Sequence, residues 1–222
     1  MSAIAPRYET RFLRWYARSK LATDPLYDAV ACRLRGHAHP VVDVGCGIGL
    51  MAFHLREQGF AQPIIGIDHD AAKIAEASRA AYDGIRFTTG DARDAIPAGS
   101  SVLLLDVLHY FDATEQARIL DNVARAIPPG GVAIIRDAVH DGSWRYRATY
   151  LAELFARGIR WIRAERLHFP TRERIIAAFD GFDVEMTPLW GATPFNNYLF
   201  VFTKARRKET DGSPQRHRGP SE

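Results

Sequence analysis

Apolar residues along this chain fall into short continuous runs, and each run is followed by a stretch in which apolar positions recur at helical spacing. Val41-Val42-Asp43-Val44, Ile64-Ile65-Gly66-Ile67-Asp68, Ile85–Thr89, Ser101–Tyr110 and Val132–Arg136 read as strands, the fourth apolar enough to be covered on both faces. Between them the pattern predicts helices over 50–58, stopped by Gly59, and over Ala71–Ala81, opened by Asp70. A third helix follows Asp112-x-x-Glu115, a capping-box pattern, with Ile119, Leu120, Val123 and Ile127 at core spacing. Pro128-Pro129-Gly130-Gly131 breaks the chain before the fifth strand.

The flanks read differently. Tyr8, Phe12, Trp15 and Tyr16 predict one face of an N-terminal helix over residues 8–20, with Arg7, Arg11, Arg14 and Arg18 between them. Asp24-Pro25 reads as a cap and a first-turn proline for a second helix that ends near Gly36. Residues 1–38 thus form a helical cap. Residues 137–170 read as a helical insertion carrying Trp144, Tyr146, Tyr150, Leu151, Leu154, Phe155, Ile159, Trp161 and Ile162. Pro170-Thr171 starts another helix, to Phe179, and Phe182–Leu189 and Tyr198–Thr203 read as a final strand pair. No internal repeat is visible.

The first strand runs into Gly45-Cys46-Gly47-Ile48-Gly49, and a helix opens at Leu50. A loop with glycine at alternate positions lets its backbone approach a ligand closely, and N–H groups at a helix start favour a negative or strongly polar group. A dinucleotide fingerprint requires G-x-G-x-x-G, but its third glycine position falls on Leu50. The pattern is instead Asp43-x-Gly45-x-Gly47-x-Gly49.

That pattern resembles motif I of the class I S-adenosylmethionine-dependent methyltransferases. Three further segments fall in that family's order. Asp68, 19 residues after Gly49, stands where a Rossmann-like sheet holds a ribose, with His69 beside it. Gly90-Asp91-Ala92 matches the adenine-binding step, and Asp106 is the acid at the end of strand four. The resemblance implies an α/β, Rossmann-like seven-stranded sheet, mostly parallel with the last strand antiparallel, and helices on both faces. It implies S-adenosylmethionine as cofactor, converted to S-adenosylhomocysteine and held by Asp43, Gly45, Cys46, Gly47, Gly49, Asp68, His69, Asp91, Ala92 and Asp106. The expected methyltransferase domain spans 1–204, its N-terminal helices lying over cofactor and substrate.

Composition narrows the partner. At 222 residues and 47% hydrophobic content the chain can bury one substantial core. The net charge of +3 lies wholly in the tail: from Lys204 onward there are six Lys/Arg and three Asp/Glu, leaving 23 of each sign over residues 1–203. A neutral body argues against nucleic acid as partner, and the basic segment 205–222 is expected to be a disordered, solvated terminus. No apolar run reaches the length of a membrane span, no signal peptide is apparent, and Cys32 and Cys46 make a disulfide framework improbable, so the cytoplasm is the expected location.

The acceptor is approached by elimination. The Asn/Asp-Pro-Pro-Tyr motif typical of adenine and glutamine N-methylation is replaced by Asp106-Val107-Leu108-His109, and no metal site is expected: Asp137, His140 and Asp141 read as a polar loop leaving strand five. His109 is the first candidate for a general base, followed by His140 and His168, since histidine titrates near about 6.5. Aromatic and polar residues near the strand ends, namely Trp144, Tyr146, His168, Phe195 and Asn196, are candidates for acceptor binding. The segments Asp141–Arg147 and Trp190–Asn197 bear a weaker resemblance to methyltransferases of aryl polyene pigment biosynthesis. That implies an aromatic ring carbon or its hydroxyl as acceptor, tethered to an acyl carrier protein whose acidic face would suit surface arginines. Alternatives are a nucleic-acid or protein methyltransferase, or a non-catalytic cofactor-binding protein of the same fold. Oligomeric state is open.

Overall fold

The structure, a computed structural model, describes residues 3–158, 167–191 and 194–206, with backbone alone over 152–158. Seven strands form one sheet: β1 (Val41–Val44), β2 (Ile64–Asp68), β3 (Ile85–Thr89), β4 (Ser101–Leu105), β5 (Val132–Ala138), β6 (Phe182–Pro188) and β7 (Asn197–Lys204). Their order across the sheet is β3-β2-β1-β4-β5-β7-β6. The first five are parallel, while β7 runs antiparallel to both β5 and β6. The expected Rossmann-like architecture is therefore what the chain adopts.

The pleat sends alternate residues to opposite faces, and each face has its own core. Val41, Leu103 and Ile134 pack under α2 (Leu26–Arg33) and α3 (Leu50–Glu57). Val42, Val44, Val102, Leu104, Ala133 and Ile135 pack against α5 (Ala113–Ala126) and α7 (Arg172–Ala177). The capping box at the start of α5 is complete: Asp112 accepts from the Thr114 and Glu115 N–H groups, and Glu115 accepts from the Asp112 N–H. Asp70 likewise caps α4 (Ala71–Arg79).

Most boundaries shift by a residue or two, and three of the differences bear on the site. Strand β4 stops at Leu105 because Asp106 adopts a left-handed conformation (φ 58°), the only non-glycine with positive φ among the described residues. The chain then makes a 3₁₀ turn over Leu108–Tyr110 instead of extending the strand. Strand β5 continues two residues beyond Arg136, since Asp137 and Ala138 pair with Tyr198 and Asn197 of β7. Asp137 is thus a fully buried strand residue, not part of a polar loop, and the insertion begins after it. At the N-terminus, α1 is Arg11–Thr23, capped by Thr10. Tyr8 precedes it and is buried, whereas Phe12 and Trp15 are exposed, so the expected aromatic face is split between core and surface.

Helix α6 spans Trp144–Gly158. The side chains of Leu154 and Phe155, the expected apolar positions Ile159, Trp161 and Ile162, and the tail from 207 onward lie outside what is described. No described helix is long and apolar enough to cross a membrane.

Candidate active site

A cavity of about 890 Å³ opens along the C-terminal ends of β1, β2, β4 and β5, where ligands bind in open α/β sheets. One end is built by the glycine loop. Gly45, Gly47 and Gly49 all have positive φ. An added Cβ would lie 2.3 Å from Val107 Cγ2 at Gly45 and 2.6 Å from Phe87 Cζ at Gly49, but would meet nothing within 4 Å at Gly47. Gly45 and Gly49 are therefore required by packing beneath the loop, and Gly47 keeps a concavity clear on the cavity side. The loop offers surface more than donors. The Gly45 and Cys46 N–H groups donate to the Ile67 carbonyl (2.7 and 3.1 Å), and that of Gly47 donates to Asp68 Oδ2 (2.8 Å). The unpaired N–H groups expected there are largely taken up by β2.

Three carboxylates line this end. Asp43 is buried on β1, and its Oδ2 has no hydrogen-bond partner among the described residues. Desolvation, and next the charge of Asp68, push its carboxyl up to about 7. A buried carboxyl in that state fits a cationic ligand group. Asp68 accepts from the Gly47 and Asp70 N–H groups, with His69 Nδ1 3.5 Å away. Asp91 is gripped by Arg93, whose Nε donates to Oδ1 (2.8 Å) and whose NH2 donates to Oδ2 (2.6 Å). Arg93 also reaches Glu115 at 2.7 Å, tying this corner to α5. The Arg93 hydrogen bonds hold the Asp91 carboxyl down at about 2.

The other end is built around His109. Its Nδ1 lies 2.7 Å from Asp137 Oδ1, and both side chains are buried. Asp137 also accepts from the Ala138 N–H through Oδ1 (2.8 Å) and from the Leu108 and His109 N–H groups through Oδ2 (2.9 and 3.3 Å). A carboxylate that only accepts makes His109 Nδ1 the protonated nitrogen and Nε2 the basic one. Phe169 stacks on the imidazole at 5.5 Å and 16°. Between the two ends Arg136 is buried and fully engaged. It donates to Asp106 through Nε (2.8 Å) and NH2, and to both oxygens of Asp24 through NH1 (2.9 and 3.0 Å).

Of the residues expected at the site, Asp43, Gly45, Cys46, Gly47, Asp68, His69, Asp91, Ala92, Asp106, His109 and Phe195 line the cavity. Gly49 does not border it and shapes the loop from below. His140 is exposed and packs on Tyr146 (4.4 Å), which stands edge-on to Phe169 behind the cavity wall. Trp144 is 64% exposed and lies outside the lining. His168 reaches the site only through its backbone, its N–H donating to the His109 carbonyl. Asn196 is buried and donates to the Val139 carbonyl, a bracing contact rather than an exposed one. Sequence reasoning gave no catalytic or cofactor-binding role to Asp137, Arg136, Asp24 or Arg93. The signal available for the first two was a charged Arg-Asp pair ending an otherwise apolar strand. Among the described residues no group of three His, Cys, Asp or Glu side chains could hold a metal ion.

Residues 41–131, which carry the glycine loop and the acids through Asp106, match the family described as a methyltransferase domain. The chain is similar to myricetin 3'/5'-O-methyltransferase 1 of Solanum habrochaites, at 30% identity over 99 residues, covering 45% of this chain and 26% of that protein. It is also similar to eugenol O-methyltransferase of Sorghum bicolor, at 34% identity over 100 residues, with 45% and 26% covered. The matched segment spans about a quarter of the length of these relatives. Among solved structures, magnesium protoporphyrin IX methyltransferase from Synechocystis PCC 6803 with bound S-adenosylhomocysteine shares the fold, with a TM-score of 0.64 at 19% identity over 89% of each chain. Residues 41–131 thus resemble a methyltransferase domain, and the fold is one shared with a methyltransferase. The clear concavity at Gly47 and the buried Asp43 Oδ2 fit S-adenosylmethionine, a cation.

Proposed function

We propose that this protein methylates a hydroxyl oxygen on a small aromatic acceptor, with His109 as general base and Asp137 as the residue that orients it. The observation that carries this reading is His109 on the cavity wall with its Nδ1 held by the buried Asp137. When bound, the cofactor supplies a methyl group already activated on its sulfonium, so the chain has to align the acceptor and remove its proton. Asp137 holds Nδ1–H and fixes the ring; Nε2 then takes the phenolic proton, and Asp137 stabilises the resulting imidazolium. Phe111, Phe169, Trp190 and Phe195 provide aromatic surface for a planar acceptor. The two plant relatives are named as O-methyltransferases of myricetin and eugenol, which supports the same acceptor class.

The test is transfer of labelled methyl from S-adenosylmethionine to a panel of phenols, offered free and as carrier-protein thioesters, with the product located by mass spectrometry. His109→Ala is expected to lower kcat by about 10² or more, in line with general-base catalysis, while S-adenosylhomocysteine affinity stays within twofold. Asp137→Asn keeps the shape but loses the charge and should also lower kcat. Equal turnover in wild type and His109→Ala would remove His109 from the chemistry.

A further inference from the structure

The two charged residues that end β5 divide between the two faces of the sheet. Asp137 continues the row of Ala133 and Ile135, which faces α5 and the Leu108–Tyr110 turn, and there it holds His109. Arg136 continues the row of Ile134, which faces α2, and there it joins two cavity-lining carboxylates that come from different elements. Asp24 sits at the junction of α1 and α2. Asp106 is the left-handed residue from which the His109 turn departs, and its own N–H donates to the Arg136 carbonyl at 2.8 Å.

Helix α1 is held shallowly. Of its residues only Ala17 is fully buried; Leu13, Tyr16 and Leu21 pack partly buried against the core, and Arg14 Nε donates to the Tyr8 carbonyl (2.7 Å). Yet Trp15, Tyr16, Ser19, Lys20 and Thr23, one helical face, line the cavity. The helix is a strap across the ligand space, and Asp24 is its C-terminal anchorage. Lys20 at 3.4 Å from Asp24 is the only other ion pair there among the described residues.

We propose that Arg136 is a positioning residue: by gripping Asp24 and Asp106 together it latches α1 over the bound cofactor and sets the strap in register with the turn that carries His109. A guanidinium suits this because its rigid fork serves both carboxylates at once from a buried position. Breaking one arm leaves the rest of the network in place but releases the strap, so ligand escape is what should change.

Asp24 has a second task, since its Oδ1 also accepts from the Leu26 N–H at the start of α2 (3.1 Å), and two substitutions separate the tasks. Asp24→Asn keeps the capping oxygen and loses the charge, whereas Asp24→Glu keeps the charge and misplaces the cap. Stopped-flow dissociation of S-adenosylhomocysteine and limited trypsin cleavage at Arg14, Arg18 and Lys20 are the readouts. The latch predicts dissociation about tenfold faster and cleavage within α1 accelerated in Asp24→Asn, with Asp24→Glu close to wild type. The reverse order, with Asn like wild type and Glu impaired, would reduce Asp24 to a helix cap and overturn the proposal, as would no change in either variant. The dissociation arm rests on the cofactor assignment and the cleavage arm does not. Failure of wild type to bind S-adenosylhomocysteine would therefore strike the cofactor reading, while the cleavage pattern would still decide the latch.

Discussion

Asp43 shows how much one buried carboxyl can report. Burial and the neighbouring Asp68 raise it from 3.8 to about 7, so between those values the folded chain keeps a proton that the unfolded chain has released. Stability from this group is therefore greatest at acidic pH and declines as pH rises through that window. A cation beside Asp43 reverses the balance by favouring the charged form. Binding of S-adenosylhomocysteine at pH 6 should thus release close to one proton, seen as a calorimetric enthalpy that changes with buffer ionisation enthalpy. The release should fade by pH 8.5 and vanish in Asp43→Asn; a buffer-independent enthalpy at pH 6 would refute the placement of a cationic group at Asp43. Residues of this kind were legible where a motif names them, as with Asp43, Asp68 and Asp91. Asp137 was not legible because its meaning depends on β7, whose Tyr198 lies opposite it from 61 positions away in the chain. Without that partner, an acid after an apolar run reads as the start of a loop.

Elements were easier to read than their ends. The capping box at Asp112 and the caps at Asp70 and Thr171 are local hydrogen bonds, so sequence spacing finds them. The end of β4 is not local: it is decided at Asp106, whose left-handed backbone is held by Arg136 from the adjacent strand. Such a conformation costs on the order of 1 kcal/mol and persists because its surroundings specify it. Helix α5 supports the same turn from below, since Gln116 donates through Nε2 to the Leu108 and Phe111 carbonyls (3.1 and 3.0 Å). Asp112→Ala should cost about 1 kcal/mol and lower Tm by roughly 2–4 °C in a domain of this size. An unchanged melting curve would show that packing against the sheet alone fixes the start of α5.

For the molecule as a whole, the neutral body and the basic tail are properties of sequence, while the cleft arises from topology. Adjacent strands β1 and β4 send their connections to opposite sides of the sheet, and the cavity lies at their C-terminal ends. Ligand that binds only the native state stabilises all of it. S-adenosylhomocysteine at a hundred times its Kd should contribute about 2.7 kcal/mol and raise Tm by roughly 5–10 °C. NAD, which the missing third glycine disfavours, should leave Tm unchanged; the opposite ranking would return the glycine loop to the dinucleotide class. One consequence of the β5–β7 pairing reaches beyond this chain. Arg136 and Asp137 are carried by a strand bonded to β4 and β7, whereas Phe169, Trp190 and Phe195, which line the cavity, come from segments between strands. The acid proposed to orient the base is thus inherited with the sheet, while the base itself and the aromatic walls are inherited with the connections, so descendants could exchange the walls and keep the orienting acid.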